Sequence, residues 1–78
     1  MSEVVYTPAC LKALALIRVS GHVIVDASLP DSDLLVLAGA AAQWGASVTV
    51  RNAHLREQGE LEKIAAAGRG HVTFDLAE

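Results

Sequence analysis

The chain has 78 residues, enough for one small domain and too few for two. Apolar residues make up 53% of it, but 14 are alanine and 22 are Val, Leu or Ile, against one each of Phe, Trp and Tyr. A chain this short buries only about 60% of its unfolded surface, so a core of small side chains is marginal alone and predicts a partner. The formal charge is −3, and Lys12, Arg18, Arg51, Arg56, Lys63 and Arg69 are scattered along the chain. That arrangement lacks the basic stripe that nucleic-acid binding requires.

Cys10 is the only cysteine, which excludes an internal disulfide and reads as a small core hydrophobe. Met1-Ser2-Glu3 puts no cationic region ahead of an apolar stretch, and the apolar runs 13–17 and 34–42 fall short of the roughly 20 residues that span a bilayer. The expectation is a soluble, cytoplasmic protein with no membrane partner.

In chain order, Glu3-Val4-Val5-Tyr6 reads as a first strand. Thr7 is a good cap and Pro8 suits a first helical position, so a helix from Pro8 to about Val19 follows and ends near Ser20-Gly21. His22-Val23-Ile24-Val25-Asp26 is the second strand. Ser28 and Asp31 are cap candidates around Pro30 for a helix over 31–43. Ser47-Val48-Thr49-Val50-Arg51 is the third strand, and a third helix begins near Arg56 or Glu57, ends by Ala67 and is closed by Gly68 and Gly70. His71-Val72-Thr73-Phe74-Asp75 opens a last strand that runs over 71–76.

The last three strands share one pattern, start 25 and then 24 residues apart, and each follows a glycine: Gly21, Gly45 or Gly70. The repeating unit is therefore one strand plus one helix, with units at 3–21, 22–46 and 47–70. The whole chain 1–78 is predicted as a single α/β domain of order β-α-β-α-β-α-β, with a four-stranded parallel sheet joined by right-handed crossovers. Strands three and four alternate apolar and polar residues, whereas parallel strands covered on both faces read as continuous apolar runs. All helices are accordingly expected on one face, in a two-layer, solenoid-like arrangement, with a doubly wound, flavodoxin-like sheet as the alternative because His22 to Val25 alternates less cleanly. Asp26, Thr49, Arg51, Thr73 and Asp75 then project from the open face as candidate binding residues. In register, Arg51 is flanked by Asp26 and Asp75 in a ladder worth about 0.2–1 kcal/mol per pair.

Two families are brought to mind by particular residues. Val48-Thr49-Val50-Arg51-Asn52-Ala53-His54-Leu55, continued by Leu61, Ile64, Ala65 and Ala66, resembles a leucine-rich repeat, a likeness that covers residues 22–78. Those repeats place an Asn or Cys after each strand, and here Asn52 has Ala27 and Leu76 as counterparts. The resemblance implies a curved sheet that binds proteins on its open face. Val23-Ile24-Val25-Asp26-Ala27-Ser28, then Asp31-Ser32, Leu34-Leu35 and Gly45-Ala46-Ser47-Val48-Thr49-Val50, is similar to the centre of STAS domains, the anti-sigma-factor antagonist fold. That family switches partner binding by phosphorylating a serine at a helix start, and the matching residue is Ser32. The stretch before Asp31 is shorter than the family's, and Asp33 stands where a small residue is expected. Capping of the helix by Asp31, Ser32 and Asp33 is the competing explanation.

Catalytic constellations are not legible. Gly68-Arg69-Gly70 is too short for a phosphate loop and follows a helix. No cysteine pair or helical histidine pair gives metal spacing. His22 and His71 are equivalent in the repeat but lie two strands apart, roughly 9.6 Å, too wide for a shared metal ion. Glu57, Glu60, Glu62 and Lys63 read as a solvated helix face. No cofactor and no metal is expected, and an enzyme is the least supported class.

The expectation is a non-enzymatic protein-interaction and self-assembly module, with a STAS-like switch at Ser32 as the alternative. From Leu34 to Trp44 the second helix has one polar side chain, Gln43, so no solvent face can be drawn. Val36, Ala40 and Trp44, with Leu16 of the first helix, are the predicted interface of a closed homodimer. Head-to-tail addition at open sheet edges, running on into a filament, is the other route.

Overall fold

The computed structural model describes residues 8–77. Three helices, α1 (Pro8–Ser20), α2 (Asp31–Trp44) and α3 (Gln58–Gly68), alternate with three strands, β1 (His22–Asp26), β2 (Ser47–Arg51) and β3 (Val72–Phe74). A 3₁₀ turn, Ala53–Leu55, stands between β2 and α3 and was not foreseen from sequence. The fold is α/β, with an open parallel sheet in the order β1-β2-β3. The first predicted strand, at 3–6, lies outside the described residues.

Local chemistry explains the element ends. Pro30, with φ −56° and ψ 150°, precedes α2, and Asp31 and Asp33 sit in its first turn, where carboxylates favour the helix dipole. Gly45 takes the left-handed conformation at φ 67°, and its N–H bonds back to Ala41. At the end of α3 that position falls to Arg69 at φ 48°, because Gly68 is spent on packing: a Cβ there would meet the Val72 side chain at 2.3 Å. α3 can approach β3 only because residue 68 has no side chain.

Register pairs His22 with Ser47, Val23 with Val48 and Asp26 with Arg51, while Val48 faces Val72 and Val50 faces Phe74. Val23, Val25, Val48 and Val50 are buried in one core with Cys10, Ala13 and Ile17 of α1, Leu34, Leu37, Ala38 and Ala41 of α2, and Ile64 of α3. The alternate residues His22, Ile24, Asp26 and Thr73 are exposed and Thr49 is half-buried. The helices therefore share one face of the sheet.

Two local expectations need correction. β3 is three residues long rather than running over 71–76, since its core-facing Val72 and Phe74 are only partly buried and Leu76 has nothing to pack on at 58% exposed. The N-cap position of α2 falls to Pro30 rather than to Asp31, Ser32 or Asp33, and Asp33 lies in the first turn, 2% exposed, with its carbonyl beside Cys10. The Cys10 thiol lies 4.0 Å from the Asp33 carbonyl, and burial, then the Asp33 charge, push its pKa up. It is a core residue and a poor nucleophile. Among the described residues no helix is long and apolar enough to cross a membrane.

Candidate functional site

Polar side chains gather at the carboxyl end of the sheet, where each strand turns toward its helix. Asp26 ends β1, and its carboxylate accepts the Ser28 backbone N–H at 2.8 Å and the Asn52 side-chain amide at 2.7 Å. Asn52 can reach across because it sits at φ 60°, a left-handed conformation that asparagine tolerates better than most residues. Bonds from the Ser28 side chain, the Asn52 amide and the Ser28 backbone, helped by Arg51, lower the Asp26 pKa to about 2. A carboxylate held this way is a fixed acceptor and a poor proton carrier.

That bonding replaces the expected charge ladder. Asp26 and Arg51 are level in the sheet, yet Asp26 turns to Ser28 and Asn52. Asp75 falls just past β3, and its carboxylate accepts the Ala77 N–H at 3.0 Å. Arg51 is exposed, and no ion pair joins it to either carboxylate among the described residues. Thr49 and Thr73 are level on the same open face. The five predicted binding residues thus share a surface without forming a bonded row.

Arg56 is the residue that sequence reading missed. Of the two expected helix starts, Arg56 and Glu57, Glu57 is the N-cap, and Arg56 is extended, at φ −96° and ψ 150°, with its guanidinium beneath the β1–α2 link. Its Nε donates to the Ala27 carbonyl at 2.8 Å, Nη2 donates to the Leu29 carbonyl, and Nη1 bonds Asp31 and, at 2.7 Å, Glu60. The rigid fork joins two carbonyls and two carboxylates, a task the lysine ammonium cannot copy. Nothing in Leu55-Arg56-Glu57 signals this, since all the partners but Glu60 lie 25 to 29 residues away. Nearby, the buried Nδ1 of His54 has no partner among the described residues.

At the other end of the sheet, His22 Nδ1 lies 3.2 Å from the Ser47 hydroxyl and His71 Nδ1 lies 2.8 Å from the Ala46 carbonyl. Among the described residues no group of three His, Cys, Asp or Glu is placed to hold a metal ion. Ser32 is exposed in the first turn of α2, whose N-cap residue, Pro30, makes no side-chain capping bond.

The predicted interface residues do not form one patch. Trp44 is 45% exposed beneath the Arg18 guanidinium, 5.4 Å from its ring centre. Val36 and Ala40 are partly buried on α2. Leu16, half exposed, faces instead a groove of about 370 Å³ between α1 and β1, with Ala9, Lys12, Ile24 and Leu29. Leu11 and Val19 of α1, with Ile24, Leu35 and Leu55 elsewhere, are exposed apolar side chains that the sequence does not mark. Comparison with family models, curated proteins and solved structures returns no match to this chain.

Proposed function

We propose that the chain is a non-enzymatic protein-interaction and self-assembly module that pairs with a second copy through its helical layer. The carrying observation is α1, where Leu11 is 54% and Val19 87% exposed in a helix with only Lys12 and Arg18 charged. Val36 and Ala40, one turn apart on α2 and partly buried, are the proposed share of α2 in that interface, where small residues would let a second helix approach closely. Covering each large apolar side chain contributes roughly 1.5–3 kcal/mol, which a core rich in alanine needs. An Arg–Trp pair such as Arg18 and Trp44 is the usual composition of an interface anchor.

The test is sedimentation at micromolar concentration. A dimeric parent and a monomeric Val36→Glu variant with unchanged far-UV circular dichroism are expected. A monomeric parent, or a variant that assembles like the parent, overturns the proposal.

The open face is the surface for a different protein partner, with Arg51 as its anchor among Asp26, Thr49, Thr73 and Asp75. A solenoid-like, leucine-rich-repeat-like sheet, with residues 3–6 as a fourth strand, gives that face its extent. The bond from Asn52 to the neighbouring unit at Asp26 supports the likeness. One observation favours a second reading, the STAS-like switch: the Ser32 hydroxyl is exposed at the start of a 14-residue helix. Replacement of Ser32 by Asp then changes the sedimentation of the parent, and an unaltered profile removes this reading.

A further inference from the structure

The outer two helices of the layer differ in charge. α2 lies between α1 and α3, so α1 and α3 form its two flanks. α1 contains no carboxylate, and its exposed stripe Leu11, Ala15 and Val19 has Lys12 and Arg18, also exposed, beside it. α3 instead exposes Glu62 together with Ala65 and Ala66. The other charges of α3 are directed elsewhere: Glu60 is bonded by Arg56, and Lys63 and Arg69 line hollows between α3 and α2. One flank of the layer is therefore apolar with cations, and the other is small-residued with a carboxylate.

The cation and the carboxylate also stand at a common height. Ala9 of α1 lines a groove with Ser28 and Leu29, so α1 begins at the carboxyl end of β1 and runs back along it, as α2 and α3 run back between successive parallel strands. Val23, Val48 and Val72 are level across the sheet. Lys12 precedes Val23, and Glu62 precedes Val72, by nearly equal lengths of chain, which puts the two side chains within about one helical turn of the same level.

Two helical layers meeting face to face can be related by a two-fold axis in two ways, and either way α2 rests on the partner's α2. An axis across the helices lays α1 on α1 and α3 on α3. An axis along the helices lays α1 on α3, twice. Both arrangements cover the same apolar side chains, so burial does not choose between them. Charge does, because the first sets Lys12 and Arg18 against their own copies and Glu62 against its own, whereas the second sets Lys12 against Glu62.

We propose that the chain forms a closed dimer whose two-fold axis runs along the helices, with α1 of each copy seated on α3 of the other and Lys12 paired with Glu62 in both contacts. The pairing rests on the association through the helical layer put forward above, and it names the face of the second copy that α1 occupies.

Sedimentation equilibrium of the full-length parent, Lys12→Glu, Glu62→Lys and the double variant tests it. Both residues are exposed, so far-UV circular dichroism is expected to be unchanged in all three variants. Each single reversal acts twice per dimer and is expected to raise the dimer Kd about tenfold, and the double variant to return it to within about threefold of the parent. Glu62→Lys is the sharper arm, since it also reduces the net negative charge that holds two copies apart. The double variant keeps the parent's net charge of −3, so its recovery reports the contact and not the total charge. Single variants that assemble like the parent overturn this pairing, as does a double variant no tighter than the singles. If Val36→Glu still dissociates the dimer in either case, association through the helices stands without this pairing. A monomeric parent overturns both.

Discussion

Arg56 ties the β1–α2 link to α3, because its guanidinium donates to the Ala27 and Leu29 carbonyls while pairing with Asp31 and Glu60. Hydrogen bonds to a charged, partly buried group contribute about 1.5–3 kcal/mol. Arg56→Ala is expected to lower unfolding free energy by about 2–3 kcal/mol in urea titration, and Arg56→Lys is expected to restore less than half. Asp26 gives the pH signature. Its folded pKa of about 2 lies below the unfolded value, so its contribution is complete above about pH 4 and is lost as pH falls through 2. Melting temperatures of the parent and of Asp26→Asn should differ at pH 6 and converge at pH 2. A gap that persists at pH 2 would remove the assigned role of the carboxylate.

At the scale of elements, helices and strands were legible wherever two local signals coincided. Glycine C-caps at Gly21 and Gly45, followed by β-branched runs, located β1 and β2 at their observed bounds. β3 was overextended because Leu76 continues the alternation, while the helix cover that would reward it has already ended. α3 starts at Gln58 with Glu57 as its N-cap, within about a residue of the expected start, while the 3₁₀ turn at Ala53–Leu55 is not legible because its three residues carry no turn signal. The candidate site was less legible still. Asp26 and Arg51 were read as partners from register, but Asn52 wins the carboxylate through a left-handed backbone that spacing does not reveal. Gly68 was read as a helix stop when its function is contact. Gly68→Ala forces a methyl group into Val72, and overpacking of that kind costs about 1–3 kcal/mol, measurable by chemical denaturation. Gly70→Ala meets open space but a φ of 87°, so its cost comes from backbone strain instead.

For the whole molecule, sequential strand order sets each strand–helix unit beside its neighbours in the chain. The exposed apolar side chains of α1 and the β1 edge lie at the same end of the described sheet, so the association proposed through the helices would be anchored there.

Trp44 also decides how this protein can be watched. The only tryptophan stands half exposed at a corner under a guanidinium, away from the core that melts. Its native emission is expected to lie near that of a hydrated indole, so unfolding should shift the spectrum little. Burial of Trp44 by a partner would turn the band to the blue. Fluorescence would then serve as an assay of the proposed assembly, with circular dichroism as the assay of folding.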